Sequence, residues 1–383
     1  MIDNIGDKCC GCYACYNSCP KKCISMVAKD DGFVYPLIDK KRCISCGLCD
    51  KVCPILNKPV EYLLNQAYGA NSDKDRNDSS SGGIYPVVAR WIINNNGVVY
   101  GAAFDKGYQH VMHIRATCFD DLKKTYTSKY MQSHINNIFQ LVKEDLESGI
   151  DVLFSGTPCQ VAGLRSFLKK EYDKLLCVDF ICHGVPSEKI WKLYTDKLKH
   201  EYNHKIDAVN FRYKENGWNP SLLLLLLGEN RIIENQDQNI YYKAFLNDLC
   251  LRKSCYNCNF KSVNGFSDIT LADFWGVEDI CPELDDGKGT SLVIVNSEKG
   301  QRIFDIIKDD LKYERVDLAK SISRNPARIR SADKNYRRKK YFKIINSENF
   351  ENLTYKYTRK TLDVQLYKLV LKIFRKIKRT FLK

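Results

Sequence analysis

No stretch of this 383-residue chain approaches the roughly 20 consecutive apolar residues that a membrane-spanning helix needs. The run from Leu222 to Leu227 is only six residues long, and between Asn219-Pro220 and Gly228 it reads as a buried strand. Met1-Ile2-Asp3-Asn4 carry no basic and apolar leader, which predicts a protein that stays in the cytoplasm. There is no G-x-G-x-x-G, so the Rossmann fingerprint is not a route to a dinucleotide here. A length of 383 residues leaves room for two or three domains with a sizeable core.

Cysteine, by contrast, is abundant, with 18 residues. Cys9-x2-Cys12-x2-Cys15-x3-Cys19-Pro20 is repeated 34 residues later as Cys43-x2-Cys46-x2-Cys49-x3-Cys53-Pro54. Bacterial two-cluster ferredoxins wrap cubane 4Fe–4S clusters with this spacing. Two-residue gaps let a tight loop present three sulfurs to one cube. The fourth cysteine, before the proline, points to the other cube. Cluster one is therefore expected on Cys9, Cys12, Cys15 and Cys53, and cluster two on Cys43, Cys46, Cys49 and Cys19. The cross-over lets about 55 residues fold on their metals with little apolar core. Zinc sites pair two short CxxC knuckles and fit these runs poorly. A disulfide framework is disfavoured by the length, the missing leader and the spacing. Cys10 and Cys23 lie off the pattern and read as spectators.

The net charge of +14 is unevenly placed. Residues 324–343 carry +8 and residues 360–383 carry +7, which leaves about −1 for everything else. From Leu362 onward, Leu366, Leu369, Val370, Ile373, Ile377 and Phe381 fall on one side of a helix, with Lys368, Lys372, Arg375, Arg379 and Lys383 opposite. Such a basic amphipathic helix either docks on the body or a partner, the favoured reading, or lies on an anionic membrane surface. Nucleic acid is disfavoured, because no reading motif accompanies the charge.

Residues 1–58 read as the ferredoxin-like module. After Ser80-Ser81-Gly82-Gly83 comes an apolar run at helical spacing, Ile84, Val87, Val88, Trp91 and Ile92, stopped by Asn94-Asn95-Asn96-Gly97. Strands are expected over 98–104, 111–117, 151–156, 175–182 and 207–213. Helices are expected around Ile138, from Pro158 and over 187–202. This order favours a partly parallel sheet covered by helices. The fold class is α+β, mixed α/β: a dicluster ferredoxin domain (1–58), a mixed-sheet body (66–150 and 151–318) and a basic helical tail (319–383).

A second set of cysteines lies in the body. Cys159 sits at a strand-to-helix turn, where free backbone N–H groups and the helix dipole favour thiolate. Cys182 follows a strand, and Cys255-x2-Cys258 is a knuckle with Cys250 five residues before it. A third iron–sulfur cluster on Cys255, Cys258 and loop cysteines is the leading reading. A reactive thiol at Cys159 and a zinc or purely structural role are the alternatives. Cys118, Cys177 and Cys281 read as small core residues.

Together these motifs resemble the family of coenzyme F420 hydrogenase/dehydrogenase beta subunits, in its bacterial form with an N-terminal dicluster ferredoxin domain. The likeness rests on Ser80-Ser81-Gly82-Gly83, Ser128-Lys129-Tyr130-x2-Ser133 and Leu153-Phe154-Ser155-Gly156-Thr157-Pro158-Cys159-Gln160. It continues through Cys182-His183-Gly184-Val185-Pro186-Ser187, Cys255-Tyr256-Asn257-Cys258 and Ser267-Asp268-Ile269-Thr270-Leu271-Ala272-Asp273-Phe274-Trp275. It covers roughly residues 1–300. The resemblance implies FAD and a body cluster on Cys159, Cys182, Cys255 and Cys258, and leaves Cys250 in doubt.

The implied activity is an iron–sulfur flavoprotein oxidoreductase. It would pass electrons between the clusters and FAD, and from FAD to a two-electron partner such as an F420-like coenzyme. The rivals are a non-catalytic electron-transfer subunit and a reductase in polysaccharide or cofactor biosynthesis. The partner is a redox protein or small electron carrier. For FAD, Ser80, Ser81, Gly82 and Gly83 enter a helix whose N–H groups favour a pyrophosphate, although a plain serine cap with a flexible turn has the same sequence. Lys129 is a candidate cation near phosphate or flavin, Tyr130 a stacking ring, and Ser128 and Thr157 further contacts. Ser128, Lys129 and Tyr130 could equally be surface residues. His183 reads as a structural histidine, and Asp268 and Asp273 as ligand-orienting or turn-capping residues.

Overall fold

The computed structural model describes residues 2–346, 349–359, 366–367 and 369–370. Its strands in chain order are β1 (Ile24–Ala28), β2 (Val34–Ile38), β3 (Gln66–Asn71), β4 (Val98–Phe104), β5 (Val111–Ala116), β6 (Val152–Ser155) and β7 (Leu175–Phe180). They continue as β8 (Ala208–Tyr213), β9 (Leu222–Leu227), β10 (Asn230–Asn235), β11 (Ile269–Asp273), β12 (Ser291–Val295) and β13 (Lys312–Val316). β1 and β2 form the antiparallel hairpin of the N-terminal module. β8, β9 and β10 form an antiparallel sheet in which the six-leucine run is the central strand.

The other eight strands make one mixed sheet in the order β13-β3-β12-β11-β7-β6-β4-β5. Strands from 66–150 and from 151–318 interleave in it, with β3 between β13 and β12. β4, β6, β7 and β11 are parallel neighbours. β12 runs against β11, and β3 against β12, so β3 shares their direction. Five strands therefore end at one edge of the sheet. Ligands of open α/β sheets sit outside the carboxyl ends of such strands. The loops that leave this edge carry Ser80–Gly83, Thr157–Cys159, Cys182–Gly184 and Phe274-Trp275.

Side chains alternate across this sheet as a period of two requires. Val99, Leu153, Leu176 and Val178 face the helices Ile84–Asn94 and Glu298–Ile307. Val98, Tyr100, Val152, Phe154 and Cys177 face the helices Ile138–Glu147 and Pro158–Leu168. The second group also buries Cys10, Cys12, Tyr13, Ala14 and Val52, so the N-terminal module shares its core with the body. Gly163 permits this: a Cβ there would lie 2.7 Å from Cβ and 2.9 Å from Sγ of Cys12.

A further core gathers Trp191, Phe211, Tyr241 and Tyr242 between the three-stranded sheet and the helix Glu188–Tyr202. Tyr341, Phe350 and Leu353 join it, so the helices Arg338–Ile344 and Phe350–Thr358 are docked rather than trailing. Arg338 even reaches Asp31 of the N-terminal module at 2.9 Å. The basic helix expected from Leu362 lies outside the described residues, apart from Leu366, Tyr367, Leu369 and Val370. Among the described residues, no helix is long and apolar enough to cross a membrane.

Candidate functional site

Twelve cysteines sort into three cavities. Cys9, Cys12, Cys15 and Cys53 line one, under Ile2, Ile5 and Met26. Cys43, Cys46, Cys49 and Cys19 line a second. Cys159, Cys182, Cys255 and Cys258 converge on a third, at the sheet edge. Local structure explains the convergence. Thr157 and Gln160 form a capping box on the helix Pro158–Leu168, and the Thr157 hydroxyl lies 3.1 Å from Cys159 Sγ. Cys182 leaves the end of β7, while a 3-10 turn, Lys253–Asn257, presents Cys255 and Cys258. Lys8, Lys261 and Arg328 line the same cavity, which suits a negatively charged occupant.

Two cysteines that looked like spectators are part of this geometry. Cys10 lines both the first and the third cavity, as does Ile55, and Cys10 is hydrogen-bonded to Cys159. Cys23 lines the second cavity, with its sulfur 3.3 Å from that of Cys19. A repeat pattern cannot reveal either, because both depend on how the loops fold back.

The Cys159 thiol is pushed well up, first by its bond to Cys10 and then by burial. This direction is opposite to the thiolate form that the helix N-terminus favours. Burial likewise raises Cys182 and takes Cys255 to about 12. Buried thiols grouped this closely are suited to a metal, which takes the proton's place on sulfur.

Cys250 faces elsewhere. It is fully buried among the aromatic residues of the further core, and burial pushes its thiol to about 12. Cys177 and Cys281 are buried, but Cys118 is exposed at the start of the helix Phe119–Thr125, so it is not a core residue. His183 lines the third cavity and is hydrogen-bonded to Asp248 at 2.6 Å. Asp268 is structural: it accepts from the Cys177 N–H at 2.8 Å and the Ser297 hydroxyl at 2.6 Å.

The loop that holds Ser80 forms a second feature of the same edge. Ser80 Oγ accepts from the Ser128 N–H at 2.7 Å, and Ser128 Oγ lies 2.9 Å away. Gly82 is required by packing, since a Cβ there would lie 2.5 Å from the Ala70 carbonyl and 2.6 Å from the Ser291 nitrogen. Gly83, at φ +87°, opens the helix Ile84–Asn94. Ser81 Oγ donates to the Thr290 carbonyl at 2.9 Å. Tyr130 packs among Phe211, Tyr242 and Phe245. Lys129 donates to the carbonyls of Lys124, Tyr126 and Thr127, and burial lowers it to about 7.

Cations that no motif marked gather around this loop. Arg212 is buried, donates to the Ser80 carbonyl at 3.4 Å and pairs with Asp273 at 3.0 Å. Lys214 donates to the carbonyls of Arg76 and Ser81 at 2.7 and 2.6 Å. Among the described residues, Arg76 Nη2 and Trp218 Nε1 are buried without hydrogen-bond partners, while Arg212 Nη2 faces the Asp273 carboxylate. Trp218 packs on Trp275 with ring centroids 4.5 Å apart. Unpartnered buried donors beside two indole rings fit a phosphate group and a flat ring system.

Residues 150–321 match the family model for the C terminus of the coenzyme F420 hydrogenase/dehydrogenase beta subunit. Residues 8–56 match a 4Fe-4S dicluster domain. The chain is 23% identical over 327 residues to the F subunit of the F(420)H(2) dehydrogenase of Methanosarcina mazei, covering 80% of this chain and 84% of the relative. It is 42% identical over 53 residues to the NADH-quinone oxidoreductase subunit I 2 of Geobacter metallireducens, covering 12% of this chain and 40% of that protein. A solved structure of the xenon-derivatised F420-reducing NiFe hydrogenase complex from Methanosarcina barkeri aligns with a TM-score of 0.45 at 14% identity. The alignment covers 70% of this chain and 90% of that one.

Proposed function

We propose, for a chain that belongs to the oxidoreductase family of coenzyme F420 hydrogenase/dehydrogenase beta subunits and carries a 4Fe-4S dicluster domain, a relay of three cubane clusters serving a bound FAD. One observation carries the reading. The twelve cysteines line three cavities, and the first and third share Cys10 and Ile55 as a common wall. Cluster two would sit on Cys43, Cys46, Cys49 and Cys19, cluster one on Cys9, Cys12, Cys15 and Cys53, and the body cluster on Cys159, Cys182, Cys255 and Cys258. The clusters supply single-electron steps, and a flavin couples such steps to hydride chemistry.

The chain's own residues hold and insulate this path. Arg76, Arg212, Lys214 and Ser80 would bind the pyrophosphate of FAD, and Trp218 and Trp275 would flank a ring of the dinucleotide. Ile2, Ile5 and Met26 keep water from the first cavity, while the exposed Cys46 puts the second at the surface. Cluster two would therefore be the one within reach of a redox partner protein or small carrier. A bound flavin would supply two-electron exchange with an F420-like coenzyme or another small substrate. The basic amphipathic sequence from Leu362 is a candidate contact with that partner or with a membrane surface.

Anaerobic purification with iron, sulfide and flavin quantification tests the proposal. About 12 iron and one FAD per chain are expected, with flavin lost and iron kept in Arg212→Ala. About 8 iron would remove the body cluster. Full iron with no flavin, and none taken up on adding FAD, would leave only an electron-transfer subunit.

A further inference from the structure

His110, His134 and Glu188 stand apart from the cysteines and from the Ser80 loop. One ligand atom of each lies within 4.8 Å of the other two. His134 Nε2 meets Glu188 Oε2 at 2.7 Å, and His110 Nδ1 meets Glu188 Oε1. They lie about 24 to 78 residues apart in sequence, so only the fold assembles them.

Each of the three is held from behind. The Asp105 carboxylate accepts the N–H groups of Gln109 and His110 at 2.8 and 3.0 Å, which shapes the β4–β5 turn. That turn is fastened to the helix bearing Glu188 twice: Trp191 Nε1 donates to the Tyr108 carbonyl at 2.7 Å, and Gln109 Nε2 to Thr195 Oγ1 at 2.9 Å. His134 is bound to β5 through its own N–H, to the Val111 carbonyl at 2.8 Å, and through the His113 N–H, to its carbonyl at 2.9 Å.

The other ring nitrogen of His134, Nδ1, lies 2.7 Å from the Tyr13 hydroxyl. Ligating histidines characteristically commit their second nitrogen to such a partner, which fixes the tautomer and aims the first nitrogen. A small cleft lined by Tyr13, Gly32, Gln132, His134 and Glu188 opens beside the group, at the seam between the N-terminal module and the body.

We propose that His110, His134 and Glu188 bind one divalent transition ion of the zinc class, with solvent completing its shell, and that this ion clasps the N-terminal module to the body through Tyr13. Two imidazoles and one carboxylate suit zinc or ferrous iron rather than calcium or magnesium. Bonds of about 2.0–2.1 Å in a tetrahedral shell put ligand atoms about 3.4 Å apart, so the present spacing needs only small side-chain adjustments.

Calorimetric titration of the anaerobic holoprotein with zinc, after treatment with a mild chelator, tests this. Zinc and iron contents are read by elemental analysis. One equivalent of zinc is expected to bind with iron unchanged. His110→Ala, a surface change at a half-exposed side chain, and Glu188→Gln should each weaken binding more than about 100-fold, and Tyr13→Phe by about 10-fold or more. Failure of the wild type to bind zinc, or equal binding by the wild type and His110→Ala, would overturn the proposal.

Discussion

The Arg252 guanidinium donates to the Cys9 carbonyl at 2.7 Å, and three residues later its own segment presents Cys255. Its remaining bonds go to the Val34 carbonyl at 2.9 Å and Gln132 Oε1 at 2.8 Å, and Tyr35 lies under it at 4.5 Å. It is fully buried, and among the described residues none of these partners is a carboxylate. Burial acts to discharge it, yet the neighbouring Cys9, Tyr35, Cys10 and Cys255 outweigh that and raise its pKa. A buried cation without a carboxylate needs negative charge nearby. Thiolate-ligated clusters on either side of it would supply that charge.

A fixed positive charge stabilises an added electron. Arg252→Met should therefore lower the reduction potentials of cluster one and the body cluster in an EPR-monitored titration, with cluster two unmoved. Arg252→Lys should restore much of the shift. Unmoved potentials at full iron content would mean that the guanidinium only cements the seam between module and body.

The body cavity separates the two cysteines that sequence spacing could not. Cys255→Ser should cut iron from about 12 to about 8 per chain while the ferredoxin signals persist. Cys250→Ala should leave iron unchanged, because that thiol faces the aromatic core around Trp191 and Tyr241. Iron loss in the second variant, or none in the first, contradicts the assignment.

How much of this could be read beforehand follows from what each motif encodes locally. The cysteine runs carry their meaning in spacing, since two-residue gaps and a following proline fix the loop wherever it lies. The strand and helix at Val98 and Pro158 were equally legible, because β-branched runs and a proline at a first helical turn act through the local backbone. Cys10 and Gly163 were not legible. Their roles exist only where the first cysteine loop lies against the helix Pro158–Leu168, a contact between residues about 150 apart. Arg212 and Lys214 were hidden for the same reason: β8 brings them to the Ser80 loop from more than 130 residues away. Docking of Arg338 and Tyr341 was masked by the surrounding lysines and arginines, which read as one solvated basic tail.

Lys129 makes the fold sensitive to pH. Burial lowers its folded value to about 7, against about 10.4 for an unfolded lysine. Between these values the unfolded chain binds the proton and the folded chain does not. Stability from this group therefore rises with pH from about 7 to about 10, and below 7 the cost of a buried ammonium is fully present. In anaerobic thermal unfolding, Lys129→Met should flatten the rise in midpoint between pH 7 and pH 9. An identical rise in the variant would assign it to other groups.

The rim of the second cavity predicts where electrons cross the surface. Cys46 is exposed there beside Ile44, whose apolar side chain is more than half exposed, and Leu37, next in sequence to the lining Ile38, is exposed to a similar degree. Apolar side chains around a buried redox group exclude water from a transient protein contact and shorten the electron's path, whereas a charge placed among them repels or hydrates the partner. Leu37→Glu with Ile44→Glu should therefore slow reduction of the clusters by a ferredoxin-type protein donor, mainly through a weaker encounter. Reduction by dithionite, a small ion that needs no apolar footprint, should change much less, and iron content should hold. If stopped-flow traces with the protein donor match those of the wild type, the electrons cross elsewhere, and the body cavity with its solvent-facing Phe180 is the next surface to mutate.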